Sequence, residues 1–121
     1  MGKSILIVDD AASMRGLVAM TLRNAGYEVI EASDGRDALN KLKSCRVNLI
    51  VTDLNMPNMD GITFIKTVKS MPMYKLIPII MLTTESQEEK KLEGQKAGAK
   101  AWIVKPFKPD TLVNVVKKII G

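Results

Sequence analysis

The chain has 121 residues, of which 46% are hydrophobic and 26% charged, a balance typical of one water-soluble globular domain. Its formal net charge is +5, but only 4% of the residues are aromatic and the basic residues are dispersed, so no nucleic-acid-binding surface is indicated. One cysteine excludes an intrachain disulfide, and the lack of histidine excludes Ser-His and Cys-His catalysis and an internal phosphohistidine.

Strand and helix patterns alternate along the whole chain. In chain order they predict strand 5–8, a helix from Ser13 to Ala25, strand 27–32, a helix starting at Ser33-Asp34-Gly35, strand 48–52, a helix from Ile62 to Met71, strand 78–82, a helix from Ser86 to Ala97, strand 101–104 and a helix from Pro109 to Ile120. This alternation is typical of an α/β doubly wound fold, in which helices cover both faces of a parallel sheet. Right-handed crossovers favour a flavodoxin-like (βα)5 arrangement with strand order 2-1-3-4-5.

The fourth predicted helix has the weakest apolar face. Leu92 and Ala97 are its clear apolar residues, and Gly94 lies inside it. Ser86 and Glu89 have the spacing of a capping box, which predicts that the helix begins at Ser86. Because burial of an apolar face supplies most of the stability of a helix, we expect this helix to be the least firmly held.

Acidic side chains follow two of the predicted strands at the edge where open parallel sheets bind ligands. Asp9 and Asp10 follow the first strand, and Asp53 follows the third. In the order 2-1-3-4-5 these strands are neighbours, so the three carboxylates should meet in one crevice. Clustered carboxylates favour Mg²⁺, a hard cation that prefers oxygen ligands. For Asp9 and Asp10 taken alone, the competing interpretation is that they cap the first helix.

The fourth and fifth strands add a hydroxyl and an ammonium group at the same edge. Thr83 ends the fourth strand, and Lys105 follows the fifth. A carboxylate nucleophile, Mg²⁺, a hydroxyl and a lysine are together what phosphoryl transfer to an aspartate requires. Taken singly, Lys105 could pair with an acid for structural reasons, and Thr83 could cap a helix.

In order and spacing, these motifs resemble the receiver domain of bacterial response regulators, and most closely its single-domain chemotaxis members. The motifs are Asp9-Asp10, the stretch from Asp53 to Gly61, Thr83 and Lys105-Pro106-Phe107. The resemblance covers essentially the whole chain and implies a single receiver domain over residues 1–121 without an output domain. It also implies a signalling switch, not an enzyme, whose own chemistry is limited to phosphorylation and dephosphorylation of itself.

The resemblance assigns Asp53 as the phosphoacceptor, which takes its phosphoryl group from the phosphohistidine of a CheA-like sensor histidine kinase. Thr83 would move toward the phosphoryl group, and Lys105 would pair with it. Lys105-Pro106 matches a family site that has a cis peptide bond. The Mg²⁺ ligands that the resemblance implies are Asp9, Asp10, Asp53 and the backbone carbonyl of Asn55.

Trp102 occupies the position of the switch aromatic of the family, which turns inward when Thr83 moves. From the residues alone, a packing role on an edge strand is the alternative. Chemotaxis regulators usually have tyrosine there, and the polar Ser86 and the charged Glu88 and Lys91 differ from their more apolar contact surface. The residue types of Asn55 and Glu85, two positions beyond Asp53 and Thr83, resemble the fast-cycling chemotaxis pattern.

The implied output surface is built from the fourth helix, the fifth strand and the fifth helix, and its target would be a downstream protein such as the flagellar motor switch. No helix-turn-helix follows Gly121, so we expect no direct DNA binding. No apolar run approaches the roughly 20 residues that span a bilayer, and no signal peptide precedes the first strand. The expected location is therefore the cytoplasm, without membrane insertion.

Three other kinds of protein are alternatives to a receiver domain. A haloacid-dehalogenase-type phosphatase would need an acid at the position of Asn55, and the chain leaves no room for a cap domain. A nucleotide-binding switch would need a phosphate-binding loop of the type G-x-x-x-x-G-K-[ST], which is absent from the sequence. A pseudo-receiver that acts without phosphorylation would not need to retain three clustered acids.

Overall fold

A computed structural model describes residues 2–121, and across these residues five parallel strands form one sheet in the order β2-β1-β3-β4-β5. The strands are Ser4–Val8 (β1), Glu28–Ala32 (β2), Leu49–Thr52 (β3), Ile79–Thr83 (β4) and Ala99–Val104 (β5). The helices are Ala12–Asn24 (α1), Gly35–Ser44 (α2), Gly61–Ser70 (α3), Glu88–Ala97 (α4) and Pro109–Ile120 (α5). The predicted fold class and strand order are confirmed.

Helices cover both faces of the sheet, and successive side chains of a strand point to opposite faces. Ile5 and Ile7 belong to a core cluster that also contains residues of α1 and α5. Leu6 and Val8 belong to a second cluster, with residues of α2 and α3. Burying one such aliphatic side chain fully contributes about 1.5–3 kcal/mol, so these two clusters hold the sheet edge firmly in place.

The register of the sheet brings the carboxyl ends of its central strands together. Val8 pairs with Thr52, and the backbone N–H of Asp53 donates to the Val8 carbonyl at 2.9 Å. On the other side, the backbone N–H of Lys105 donates to the Thr83 carbonyl at 2.8 Å. The residues that leave β1, β3 and β5 therefore start from one edge of the sheet.

Helix α4 begins two residues later than predicted, and the capping box proposed at Ser86 is wrong. The helix starts at Glu88, with Gln87 at the N-cap position. The loop before it is organised by other side chains. The Thr83 hydroxyl oxygen accepts the N–H of Glu85 at 3.3 Å, and the Glu85 carboxylate accepts the N–H of Gln87 at 3.2 Å. These bonds delay the first helical turn.

Helix α4 buries little apolar surface, as its sequence predicted. Leu92, expected on its apolar face, is 53% exposed, whereas Leu112 of α5 is fully buried. The buried residue of α4 is Gly94. Strand β5 begins at Ala99, two residues earlier than predicted, because its pairing with β4 continues past an irregularity in the register. Among residues 2–121, no helix is long and apolar enough to cross a membrane.

Candidate functional site

Three acids lie together at the carboxyl ends of β1 and β3, as the strand order predicted. One carboxylate oxygen from each of Asp9, Asp10 and Asp53 lies within 4.8 Å of the other two. Asp9 is buried, Asp53 is half-buried and Asp10 is exposed. Helix α1 has Ala11 at its N-cap position, so the helix-capping interpretation of Asp9 and Asp10 is wrong.

Backbone and side-chain hydrogen bonds orient the two less exposed carboxylates. Asp9 accepts the N–H of Ala11 through Oδ1 at 3.0 Å, and Asp53 accepts the N–H of Leu54 through Oδ1 at 2.7 Å. Their Oδ2 atoms both face the Lys105 ammonium, at 2.7 Å for Asp9 and 3.4 Å for Asp53. Each carboxylate therefore has one oxygen fixed by the backbone and one directed at a shared cation.

The Lys105 side chain is only 8% exposed and follows β5 directly. The peptide bond between Lys105 and Pro106 is cis, which agrees with the family site. When ionised, three carboxylates and one ammonium carry a formal charge of −2, which one divalent cation would balance. Oxygen donors of this charge and spacing fit Mg²⁺, which prefers carboxylate ligands and retains part of its water shell.

Thr83 and Trp102 meet at the loop between β4 and α4. Thr83 is fully buried at the end of β4, and its hydroxyl oxygen accepts the N–H of Glu85. Trp102, half-buried on β5, donates its indole N–H to the Glu85 carbonyl at 2.9 Å. Glu85 therefore connects the Trp102 indole to the buried Thr83 hydroxyl by two hydrogen bonds.

Gly61 is a residue of this site that sequence reasoning missed. It is the first residue of α3, and a Cβ placed on it would lie 2.3 Å from the Asp53 carbonyl oxygen. Its N–H donates to the Leu54 carbonyl at 2.7 Å. The bare backbone allows α3 to begin directly against the segment that carries Asp53. In the sequence, Gly61 signalled only the end of a turn.

Arg15 of α1 was also missed. Its Nη1 donates to the backbone carbonyl of Asp9 at 2.8 Å, and its Nε pairs with the Glu31 carboxylate at 3.2 Å. The guanidinium thus fixes the loop that carries Asp9 and Asp10. The pairing crosses from α1 to β2, and such a contact between distant segments leaves no spacing signal in the sequence. Asn55 is exposed beside the site, and metal binding by its carbonyl stays a prediction.

Comparison with known proteins places this geometry in a family. The response regulator receiver domain matches residues 5–117. The chain belongs to this family. It is 42% identical over 120 residues to the chemotaxis protein CheY of Thermotoga maritima, a match that covers 98% of each sequence. The crystallised chemotaxis protein CheY4 of Vibrio cholerae is 47% identical, with a TM-score of 0.94 over 99% of this chain and 100% of that one.

A third similar protein is the receiver domain of a Pseudomonas aeruginosa sensor histidine kinase. It is 27% identical, with a TM-score of 0.91 over 100% of this chain and 99% of that one, and its structure has a magnesium ion coordinated in the active site cleft. Receiver domains take phosphate from histidine kinases and act on downstream targets. The protein is therefore a signalling switch of a two-component system and not a conventional enzyme, which excludes the phosphatase and nucleotide-switch alternatives.

Proposed function

We propose that this receiver domain is a stand-alone chemotaxis-type regulator in the cytoplasm, in which Asp53 accepts a phosphoryl group from a CheA-like sensor histidine kinase. The main support is the convergence of the Asp53 and Asp9 carboxylates on Lys105 beside a third acid. The identity of 42% and 47% to two chemotaxis proteins supports the chemotaxis-type role. The sequence contains no histidine, so the donor phosphohistidine lies outside these 121 residues.

Asp53 Oδ2 is the proposed nucleophile, because Oδ1 already accepts the Leu54 N–H. It forms a bond to phosphorus while the bond from phosphorus to the donor histidine nitrogen breaks, and that nitrogen keeps the electron pair. The Lys105 ammonium, 3.4 Å from Oδ2, stabilises negative charge on the phosphoryl oxygens. Thr83 donates its hydroxyl hydrogen to the same group after moving toward it.

The metal ligands we propose are Asp9, Asp10, Asp53 and the backbone carbonyl of Asn55. When bound there, Mg²⁺ would supply further positive charge beside the phosphoryl oxygens. Arg15 supports this arrangement, because it fixes the backbone carbonyl of Asp9 and with it the loop that presents both acids.

Two residues next to the site are proposed to set the lifetime of the phosphorylated state. Asn55 and Glu85 line the same cavity of about 210 Å³, between the start of α3 and the β4–α4 loop. We propose that both side chains control how water approaches the acyl phosphate. Their polar character favours a short-lived signal, as the resemblance to fast-cycling regulators implied.

The output surface is proposed to be the face formed by α4, β5 and α5. Movement of Thr83 would alter the β4–α4 loop through the Glu85 N–H, and the Glu85 carbonyl in turn holds Trp102. A cavity of about 300 Å³ lies between α4 and β5, lined in part by Trp102, Glu88 and Lys91. A downstream protein such as the flagellar motor switch would dock there, without direct DNA binding or membrane insertion.

The emission of Trp102, the only tryptophan of the sequence, tests the proposal. Beryllofluoride with Mg²⁺ imitates a phosphoryl group on aspartate and should shift this emission in the wild type but not in Asp53→Asn. Asp110→Asn, an exposed acid at the start of α5, is the matched control and should respond as the wild type does. No response in the wild type, or an equal response in Asp53→Asn, would refute the function.

A further inference from the structure

We propose that Gly94 makes room for the Trp102 indole between α4 and β5, so that the absence of a side chain at position 94 sets the equilibrium between the packed indole and a displaced one. The contact between Gly94 and the indole is a feature of the structure. Its effect on the signal rests on the function proposed above. Gly94 is thus a positioning residue, which acts through Trp102 and does not touch the phosphoryl group.

The contact between α4 and β5 leaves no room for a side chain at position 94. A Cβ placed on Gly94 would lie 2.6 Å from Cζ3 and 3.1 Å from Cε3 of the Trp102 indole. Carbon atoms in favourable contact are about 3.5–4.0 Å apart, so the six-membered ring and a methyl group cannot both occupy this space. The indole is also fixed at its other end, because its N–H donates to the Glu85 carbonyl at 2.9 Å.

The backbone conformation at position 94 does not require glycine. It lies inside α4 with helical backbone, outside the positive-φ region that favours glycine. Glycine in a helix interior is less favourable than alanine, and α4 already buries little apolar surface. A glycine in this weak helix is unfavourable locally, and the packing of Trp102 against it offsets that cost.

The contact is connected to the phosphorylation site by two hydrogen bonds. Trp102 holds the Glu85 carbonyl, and the N–H of the same residue donates to the Thr83 hydroxyl oxygen. If movement of Thr83 toward the phosphoryl group favours the packed position of the indole, phosphorylation and the packing of the indole are coupled. Coupling is reciprocal. A substitution that displaces the indole must therefore weaken the binding of a phosphoryl mimic at Asp53.

The pair at positions 94 and 102 therefore determines which aromatic side chain can serve as the switch. Tryptophan requires glycine at position 94, because Cζ3 of its six-membered ring is the atom nearest to the place that a Cβ of residue 94 would take. Phenylalanine has no atom at that position and should tolerate alanine. The size of the residue on α4 and the size of the aromatic residue on β5 are thus linked.

The direct test compares Gly94→Ala with Gly16→Ala. Gly16 lies within α1, and a Cβ there would have no neighbour within 4 Å, so both substitutions gain helix propensity but only one meets an indole. In metal-free protein, Gly94→Ala should shift Trp102 emission to the red and increase its quenching by acrylamide, while Gly16→Ala leaves both unchanged. Unchanged emission and quenching in Gly94→Ala would overturn the proposal.

The effect on the signal is measured by calorimetric titration with beryllofluoride in saturating Mg²⁺. Gly94→Ala should weaken binding by about 5-fold or more, the lower end of typical allosteric coupling. In a Trp102→Phe background the same substitution should have no effect, which isolates the contact in a double-mutant cycle. An equal loss in both backgrounds would contradict the role of the indole.

Folding and function are separated by two further comparisons. If Gly94→Ala unfolds while Gly94→Ala with Trp102→Phe folds, by circular dichroism, the clash is supported. If both unfold, it is overturned. If wild-type protein fails to bind beryllofluoride, the proposed function is refuted. Acrylamide quenching of Gly94→Ala and Gly16→Ala would still decide whether the indole packs on Gly94.

Discussion

Replacement of Lys105 by methionine removes the shared cation of the acidic cluster while retaining most of the side-chain volume. The ammonium lies 2.7 Å from Asp9 Oδ2 and 3.4 Å from Asp53 Oδ2, and the Lys105 side chain is 8% exposed. In Lys105→Met, the two carboxylates keep their backbone hydrogen bonds but lose their counter-charge. We therefore expect the metal-free protein to be destabilised.

The distances give the size of the effect. With an effective dielectric constant of about 20, an ion pair at 3.4 Å gains about 5 kcal/mol, and two carboxylates no more than 4.8 Å apart repel by about 3.5 kcal/mol or more. Removing one partner of a fully buried pair costs about 3–5 kcal/mol. Because Asp10 opens the cluster to solvent, we expect a loss of about 2–4 kcal/mol in Lys105→Met. At about 4 °C per kcal/mol for a chain of this size, the melting temperature should fall by about 8–16 °C.

The assay is urea unfolding followed by far-ultraviolet circular dichroism, once with EDTA and once with saturating Mg²⁺. Since the ion replaces the missing positive charge, Mg²⁺ should stabilise Lys105→Met more than the wild type. Lys43→Met, at an exposed position of α2, should stay within about 0.5 kcal/mol of the wild type. The electrostatic reasoning would be refuted if Lys105→Met in EDTA lost no more stability than Lys43→Met. It would also be refuted if Mg²⁺ did not reduce the stability difference between Lys105→Met and the wild type.

Two further substitutions test the packing beside the site and the cap of α2. Gly61→Ala should lower the free energy of unfolding by about 2–4 kcal/mol, because its Cβ would lie 2.3 Å from the Asp53 carbonyl oxygen. In the same urea titration, Gly16→Ala should raise the free energy of unfolding by about 0.5–1 kcal/mol. Equal effects of the two substitutions would contradict the packing argument. The hydrogen bond from the Ser33 N–H lowers the pKa of Asp37 below its ordinary value of 3.8, so its stabilisation is present above that value and lost as the pH falls through the lowered pKa. The stability difference between wild type and Asp37→Asn should therefore shrink below pH about 4, and a difference that stays constant into stronger acid would contradict it.

The acidic cluster could be predicted from sequence because it follows from strand order alone. Once β1 and β3 are neighbours, Asp9 and Asp53 must leave the sheet at the same edge, and Lys105 joins them from β5. Each of these residues lies at the end of a short, mostly apolar run, a pattern consistent with a buried strand. Helix boundaries were less predictable, since the bond between Glu85 and the Thr83 hydroxyl displaced the expected cap of α4.

The roles of two glycines could not be predicted, because they depend on what packs against them. Gly61 and Gly94 read as a turn signal and a helix-weakening residue, and both readings are locally correct. Each one, however, admits a close neighbour from a distant part of the chain, the Asp53 backbone in one case and the Trp102 ring in the other. Sequence patterns report periodicity and propensity but not the absence of space.

The site joins a rigid sheet edge to a weakly held helix, and this difference in local stability favours switching. Every residue of β4 is buried, so the base on which Thr83 stands resists deformation. Helix α4 has few buried contacts, and local opening is easiest where burial is least. Trp102 contacts both parts, through the ring packed on Gly94 and the N–H bound to the Glu85 carbonyl. A small movement of Thr83 can therefore change the exposed face at α4 while the sheet that positions the acids stays intact.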